Sequence, residues 1–222
     1  MPRTARAVVG GQCYHVINRG NGRAQIFHEP GDYRRFIALI GEAQARIELE
    51  LFAACLMPNH FHLLVRPRHG TDLGEWMHWL LTTHVRRHHN HNQSSGRLWQ
   101  GRFKAFLVQE DDHLLTVARY IERNALRARL VKRAEDWPWG SLSWRLGLQR
   151  GVAISACPVC LPRGWLEYVN SPQTGAELEA LRACVNRQRP FGNADWTALT
   201  ATELGLTSSL RPVGRPSKQR LP

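Results

Sequence analysis

Leu51-Phe52-Ala53-Ala54-Cys55-Leu56-Met57-Pro58-Asn59-His60-Phe61-His62-Leu63-Leu64-Val65 consists of two short apolar runs separated by Met57-Pro58-Asn59. Proline and asparagine are turn residues, and each run is too short for a helix, so the stretch predicts a hairpin of two strands, 51–56 and 60–65. On the N-terminal side, Phe36, Ile37, Leu39, Ile40, Ala43 and Ile47 recur at helical spacing from Asp32 to about Glu48, with Asp32 available as an N-cap. On the C-terminal side, Thr71-Asp72 opens a second helical segment reaching about His91, ahead of a polar loop at 92–96. Further out, Cys13 to Asn18 alternates and is rich in β-formers, and Arg19-Gly20-Asn21-Gly22-Arg23 follows as a basic, turn-forming loop. A fourth strand fits Gly101 to Val108, where Phe103, Ala105 and Leu107 alternate with Arg102, Lys104 and Phe106. Asp111-Asp112 then caps a third helix running to about Arg129. The order β-α-β-β-α-β plus a helix predicts an α+β, ferredoxin-like fold: a four-stranded antiparallel sheet with helices on one face.

After Ala134 the chain is interrupted by Trp137-Pro138-Trp139 and by Pro158, Pro162 and Pro172, with one clear helix at Gly175 to Val185. The expected organisation is therefore a main domain over 1–150, a helical extension over 151–209 and a basic tail over 210–222. The chain has 222 residues, 43% of them hydrophobic, which suffices for a real core. It carries 30 Lys+Arg against 18 Asp+Glu, a net +12. Such an excess favours a polyanionic partner, with nucleic acid ahead of a membrane surface because no basic amphipathic anchor is in view. No segment reaches the ~18 consecutive apolar residues of a membrane span. Val8-Val9 is too short for a signal peptide, so a soluble intracellular chain is expected. Five cysteines, an odd number thinly spread, exclude a disulfide scaffold as the main organiser.

The period of a strand puts His60 and His62 on one face and Phe61 on the other. Two imidazoles on a rigid strand are half of a metal site, although such a pair alone is more often the polar face of a sheet. In the third helix, Leu114, Val117, Ala118, Ile121, Ala125 and Ala128 form the buried stripe. Tyr120 and Asn124, four residues apart, lie together along its edge. Arg123 and Arg127 are expected just beyond, away from the core. A tyrosine beside an amide oxygen and two guanidiniums offers a nucleophile, a metal ligand and a phosphate clamp, provided the helix packs where the histidines face.

The stretch Leu56-Met57-Pro58-Asn59-His60-Phe61-His62-Leu63-Leu64-Val65 resembles the metal-binding strand of single-tyrosine HUH transposases. Arg97-Leu98-Trp99-Gln100-Gly101-Arg102-Phe103-Lys104 and Arg119-Tyr120-Ile121-Glu122-Arg123-Asn124-Ala125-Leu126-Arg127-Ala128 are similar to two further blocks of that group. The nearest likeness is to the REP-associated tyrosine transposases, chromosomal relatives of IS200-type enzymes. It extends to Arg19-Gly20-Asn21-Gly22-Arg23 and, more loosely, to Pro190-Phe191-Gly192 and Gly214-Arg215-Pro216.

The resemblance implies that His60 and His62 bind Mg²⁺ or Mn²⁺ and that Tyr120 is the nucleophile. Asn124 stands where transposon-borne relatives carry a glutamine that completes the metal site. The implied reaction nicks and rejoins single-stranded DNA through a 5′-phosphotyrosine, on a substrate with a short hairpin and an adjacent guide sequence. A cytoplasmic, nucleoid-associated protein acting as a monomer or homodimer is implied as well. The alternative is a regulator that binds nucleic acid on the same fold and no longer cleaves. A phenol ionises near pH ~10 in water, so Tyr120 needs a base or a cation to lose its proton. His113, seven residues earlier on the same helix edge, is one candidate base, with an exposed surface histidine the simpler reading.

For DNA contact, Arg102, Lys104 and Phe106 share a strand face in a basic-plus-aromatic pattern suited to single strands, although an ordinary solvated face fits equally. Arg19 and Arg23 sit in a glycine loop that can approach a backbone closely. In the tail, Arg211 and Arg215 are candidates, and Gly214-Arg215-Pro216 resembles a minor-groove hook, with a basic end that attracts any polyanion the simpler account. Cys157-Pro158-Val159-Cys160 has zinc-knuckle spacing but lacks a local second pair of ligands, so ordinary thiols are expected. His84 and His88 share a helix face that reads as solvated and basic beside Arg86 and Arg87. Trp137, Trp139 and Trp144 read as core or a lid.

Overall fold

In a computed structural model of the chain, residues 8–211 are described. Strand β1 (Cys13–Arg19) is followed by a 3₁₀ turn and helix α1 (Pro30–Arg46), then by the hairpin β2 (Leu49–Met57) and β3 (His60–Pro67). Helix α2 (Asp72–Asn92), strand β4 (Lys104–Val108) and helix α3 (Asp112–Glu122) complete the predicted order. The sheet runs β2-β3-β1-β4 with every pairing antiparallel, as a ferredoxin-like fold requires.

Local chemistry sets the boundaries. Helix α1 starts at Pro30 with Glu29 as N-cap, and Asp32 serves at the third helical position of a capping box. Strand β4 begins three residues later than its alternation suggests, because Gly101 has φ +155° and interrupts the extended backbone. The third helix breaks at Arg123 (φ −82°, ψ −4°) and resumes for one turn as α4 (Asn124–Arg127). Arg129, at φ +60°, ends it where the sequence predicted.

Helices α1 and α2 bury Tyr33, Phe36, Ile40, Leu73, Trp76 and Leu80 against Tyr14, Val16, Phe61, Leu63, Val65 and Leu107. Each fully buried Leu, Phe or Val contributes about 1.5–3 kcal/mol. The opposite face is covered by Leu114, Val117, Ile121 and Ala125 of α3 and α4, packed on Cys13, Ala53, Cys55, Leu64 and Val108. A bulge between Leu51 and Ala53 puts Phe52 and Ala53 on this same second face.

The C-terminal residues join that second layer. Helix α5 (Ser141–Arg145), α6 (Trp165–Asn170), α7 (Gly175–Arg187) and α8 (Ala194–Glu203) follow, and Trp165, Val169, Leu181 and Cys184 enter the same core as α3. They also engage both sheet edges at single positions. Leu56 N–H donates to Trp139 O (2.9 Å) and Ser155 N–H to Leu51 O (2.8 Å) along β2, and Phe191 N–H donates to Leu107 O (2.8 Å) along β4. At those positions the edges are already engaged, which blocks addition of another strand there.

Candidate functional site

Along β3, Phe61, Leu63 and Val65 point into the first core, so His60 and His62 face the layer occupied by α3. The His60 and His62 rings are 5.0 Å apart, and the Tyr120 ring lies 5.7 Å from His62, edge-on. Tyr120, His62 and Asn124 are all buried. The Arg127 guanidinium stacks over the Tyr120 ring at 4.1 Å and donates to Asn124 Oδ1 at 2.8 Å. Its Nη1 and the Asn124 Nδ2 are buried without a hydrogen-bond partner. The structure thus brings together His60, His62, Tyr120, Asn124 and Arg127, and Arg127 turns inward rather than away from the core.

A third histidine escaped the sequence reading. His15 of β1 is fully buried, with its Nε2 2.8 Å from His62 Nδ1 and its ring 6.0 Å from that of Tyr120. The signal was present: His15 shares a strand face with Cys13 and Ile17, and the fold places β1 beside β3. His60 is held on its other side, Nδ1 lying 2.6 Å from Asn59 Oδ1. The Nε2 of both His60 and His62 has no hydrogen-bond partner among the described residues.

Burial sets the charge state of these rings. It pushes His60 down to about 4, with Arg19 and Arg127 adding repulsion. His15 falls to about 3 through burial and Arg127, and His62 falls well below the ordinary value through burial, His60 and His15. All three are neutral at pH 7, the form in which an imidazole offers a lone pair to a cation. Two neutral imidazoles and an amide oxygen suit a divalent ion of intermediate hardness, Mn²⁺ better than Mg²⁺. Among the described residues no group of three or more His, Cys, Asp or Glu is placed to hold a metal ion by itself; the amide oxygen in the site is Asn124 Oδ1, which Arg127 engages.

The DNA-contact candidates separate into two sets. Arg19 pairs with His60 across the β1/β3 ladder, and Arg23, Arg102 and Lys104 are exposed nearby. The loop carrying Arg23 is tied to the histidine hairpin, since Asn59 Nδ2 donates to Arg23 O (3.0 Å) and Gly20 N–H to Asn59 O (2.8 Å). A Cβ on Gly20 would stand 2.2 Å from Ala24 O, so only glycine fits that turn. Phe106 is not a stacking surface: it is 2% exposed and packs edge-on against His15 at 4.9 Å. Arg123 is not a free clamp either, because its guanidinium donates to the carbonyls of Val169 and Asn170 at the end of α6. Arg211 is exposed at the last described position, and Arg215 lies outside the described residues.

His113 does not reach Tyr120. Its Nδ1 lies 2.7 Å from Asp111 Oδ1 and its ring packs on Phe191, about 10 Å up the helix from the tyrosine. His84 is a core histidine, 5% exposed among Phe36 and Trp99, rather than part of a solvated face. The cysteines of the described residues are free thiols.

Residues 9–124, more than half of the chain, match the family of IS200-like transposases. The chain belongs to that family. The matched segment runs from the approach to β1 to Asn124 and contains His15, His60, His62 and Tyr120. A Haemophilus influenzae protein described as a REP-associated tyrosine transposase is 30% identical over 102 residues, 41% of this chain. The match spans 58% of that relative's length. A REP-associated tyrosine transposase solved with a REP hairpin superimposes with a TM-score of 0.57 at 18% identity, over 78% of this chain and 93% of that one. At that identity the likeness establishes a shared fold. No helix among the described residues is long and apolar enough to cross a membrane.

Proposed function

We propose that this IS200-like chain is a metal-dependent DNA strand transferase that nicks and rejoins single-stranded DNA at hairpin elements, with Tyr120 as nucleophile. The observation that carries the reading is the Tyr120 ring 5.7 Å from His62, with His60 beside it, in one buried site of one chain. His60, His62 and Asn124 would hold Mg²⁺ or Mn²⁺. When bound, the cation supplies charge neutralisation at a phosphate oxygen as the pentavalent transition state develops.

The chain's own groups do the rest. The Tyr120 phenol gives up its proton as its oxygen bonds to phosphorus, the P–O3′ bond breaks and the departing O3′ takes up a proton, giving a 5′-phosphotyrosine and a free 3′-OH. The phosphodiester energy is retained, so reversal at the same tyrosine rejoins strands. Arg127, stacked on Tyr120, orients the phenol and offers its unpartnered Nη1 to the incoming phosphate. Arg19, Arg23, Arg102 and Lys104 contact the strand backbone. Hairpin DNA as substrate draws support from the REP hairpin bound to the solved relative.

A catalytically silent hairpin-binding regulator is the second reading, favoured by the Arg127 contact that engages Asn124 Oδ1. Incubation with a labelled single-stranded hairpin oligonucleotide and Mn²⁺ separates the two. A denaturant-resistant protein–DNA adduct is expected, and binding without adduct would leave only the regulator.

A further inference from the structure

A cavity of about 550 Å³ opens beside the histidine strand, lined by the end of β1, residues 100–104 and the C-terminal end of α7. Its size lies within the ~300–1,000 Å³ range of small-ligand pockets. Ile17 and Arg19, on its β1 wall, pair across the ladder with His62 and His60, so that wall stands one strand spacing, about 4.8 Å, from the catalytic histidines.

The lining has a definite chemistry. Arg19, Arg102 and Lys104 supply three cations, and among the described residues no carboxylate lines the cavity. Arg19 Nε is itself buried and has no hydrogen-bond partner among the described residues. The α7 wall presents the amides of Asn186 and Gln188, whose side chains make no hydrogen bond among the described residues, and Ile17 and Val185 add apolar surface. Cations suit phosphates, a carboxamide presents a donor and an acceptor together, and apolar walls suit the faces of a flat ring. A nucleotide has all three.

We infer that this cavity receives one nucleotide of the DNA strand, the one adjoining the phosphate presented to Tyr120, and that Asn186 and Gln188 read its base. The inference rests on the strand-cleavage reading and adds a specificity-determining site. Arg19, Arg102 and Lys104 hold the flanking phosphates, which any sequence carries. Asn186 and Gln188 meet the base edge, where carboxamides discriminate through paired hydrogen bonds. A base can enter such a pocket only out of the stack, which a single-stranded substrate permits at little cost. Both readers lie beyond the segment matched to the family, 9–124, so this specificity belongs to the C-terminal extension.

The test compares wild type with an Asn186→Ala/Gln188→Gly double variant on a pool of single-stranded hairpin oligonucleotides with randomised flanks, in Mn²⁺, with the cut ends sequenced. Asn186 is exposed, and Gln188 has φ +56°, where glycine keeps the helix cap, so the variant retains the fold. Wild type is expected to enrich one base at one position beside the cut by about 5–100-fold, the discrimination carried by a good paired contact. The double variant should still yield cut product, with that enrichment reduced to within about 2-fold, whereas Arg102→Ala/Lys104→Ala should weaken binding to all sequences alike. Full enrichment in the double variant, or none in wild type, overturns the cavity assignment while cleavage stands. No cut or covalent product from any pool member with wild type overturns strand cleavage itself.

Discussion

His15 Nε2 and His62 Nδ1 stand 2.8 Å apart in a part of the site closed to solvent. One proton lies between them. For His62 to offer its Nε2 lone pair to a cation, its Nδ1 must carry that proton and His15 must accept it, the role a carboxylate or carbonyl plays behind many metal-bound histidines. His15→Leu should therefore weaken Mn²⁺ binding about 10–100-fold, read by electron paramagnetic resonance titration, while circular dichroism stays native. His15→Gln, which can still accept, should recover part of the affinity. Equal affinity in all three proteins would show that His15 is only core.

Tyr120→Phe removes one hydroxyl from a ring packed by Arg127 and His62. The covalent adduct should vanish while hairpin affinity changes by less than about 2-fold, because phosphate contacts dominate affinity. Since His62 and Tyr120 meet within one chain, mixing Tyr120→Phe with His60→Ala protein should restore no cleavage. Restored cleavage would mean that two chains share a site.

Asn124 lies on the Tyr120 side of the helix and its oxygen faces a cation already, the Arg127 guanidinium. If that oxygen is also a metal ligand, Asn124→Gln should retain measurable cleavage and Asn124→Leu none. Identical rates from the two variants would remove the ligand role.

Glu122, two positions after Tyr120 in the chain, is buried on a different side of the helix. It accepts from Ser141 Oγ (2.7 Å) and Trp165 Nε1 (2.7 Å), and Arg145 lies 3.5 Å away. Burial raises its carboxyl above the usual range against the pull of Arg145. Glu122→Leu strands the Ser141 and Trp165 donors and leaves Arg145 only its bond to Phe52 O, and should cost about 3–5 kcal/mol in urea unfolding, whereas Glu122→Gln, which keeps an acceptor, should cost less than half as much. A loss below ~1 kcal/mol for leucine would show that solvent replaces the network.

The end of the chain carries Arg215, Lys218 and Arg220 within residues 212–222 and no acidic residue. Deleting 212–222 should leave cleavage of pre-bound hairpin unchanged and flatten the log–log salt dependence of binding by about 2–3 units. An unchanged slope would show that these residues do not touch DNA. Loss of chemistry at saturating DNA would place part of the active site there.

Sequence by itself determined whatever depends on backbone period. Strand alternation put His60 and His62 on one face, helical spacing put Tyr120 beside Asn124, and the order of patterns named the ferredoxin-like sheet. The two spacing rules act between residues at most four apart, so they hold before anything packs. Tertiary structure decided the rest, because it depends on which distant segment covers the second face of the sheet. Residues 165–184 arrive there and take Arg123 for the carbonyls of Val169 and Asn170, while Arg127 turns onto Tyr120. Phe106 is buried under the same layer, and His15 meets His62 only because the antiparallel register of β1 and β3 brings them together. Side-chain partners 46 to 91 residues apart follow from register and burial, which no local spacing encodes.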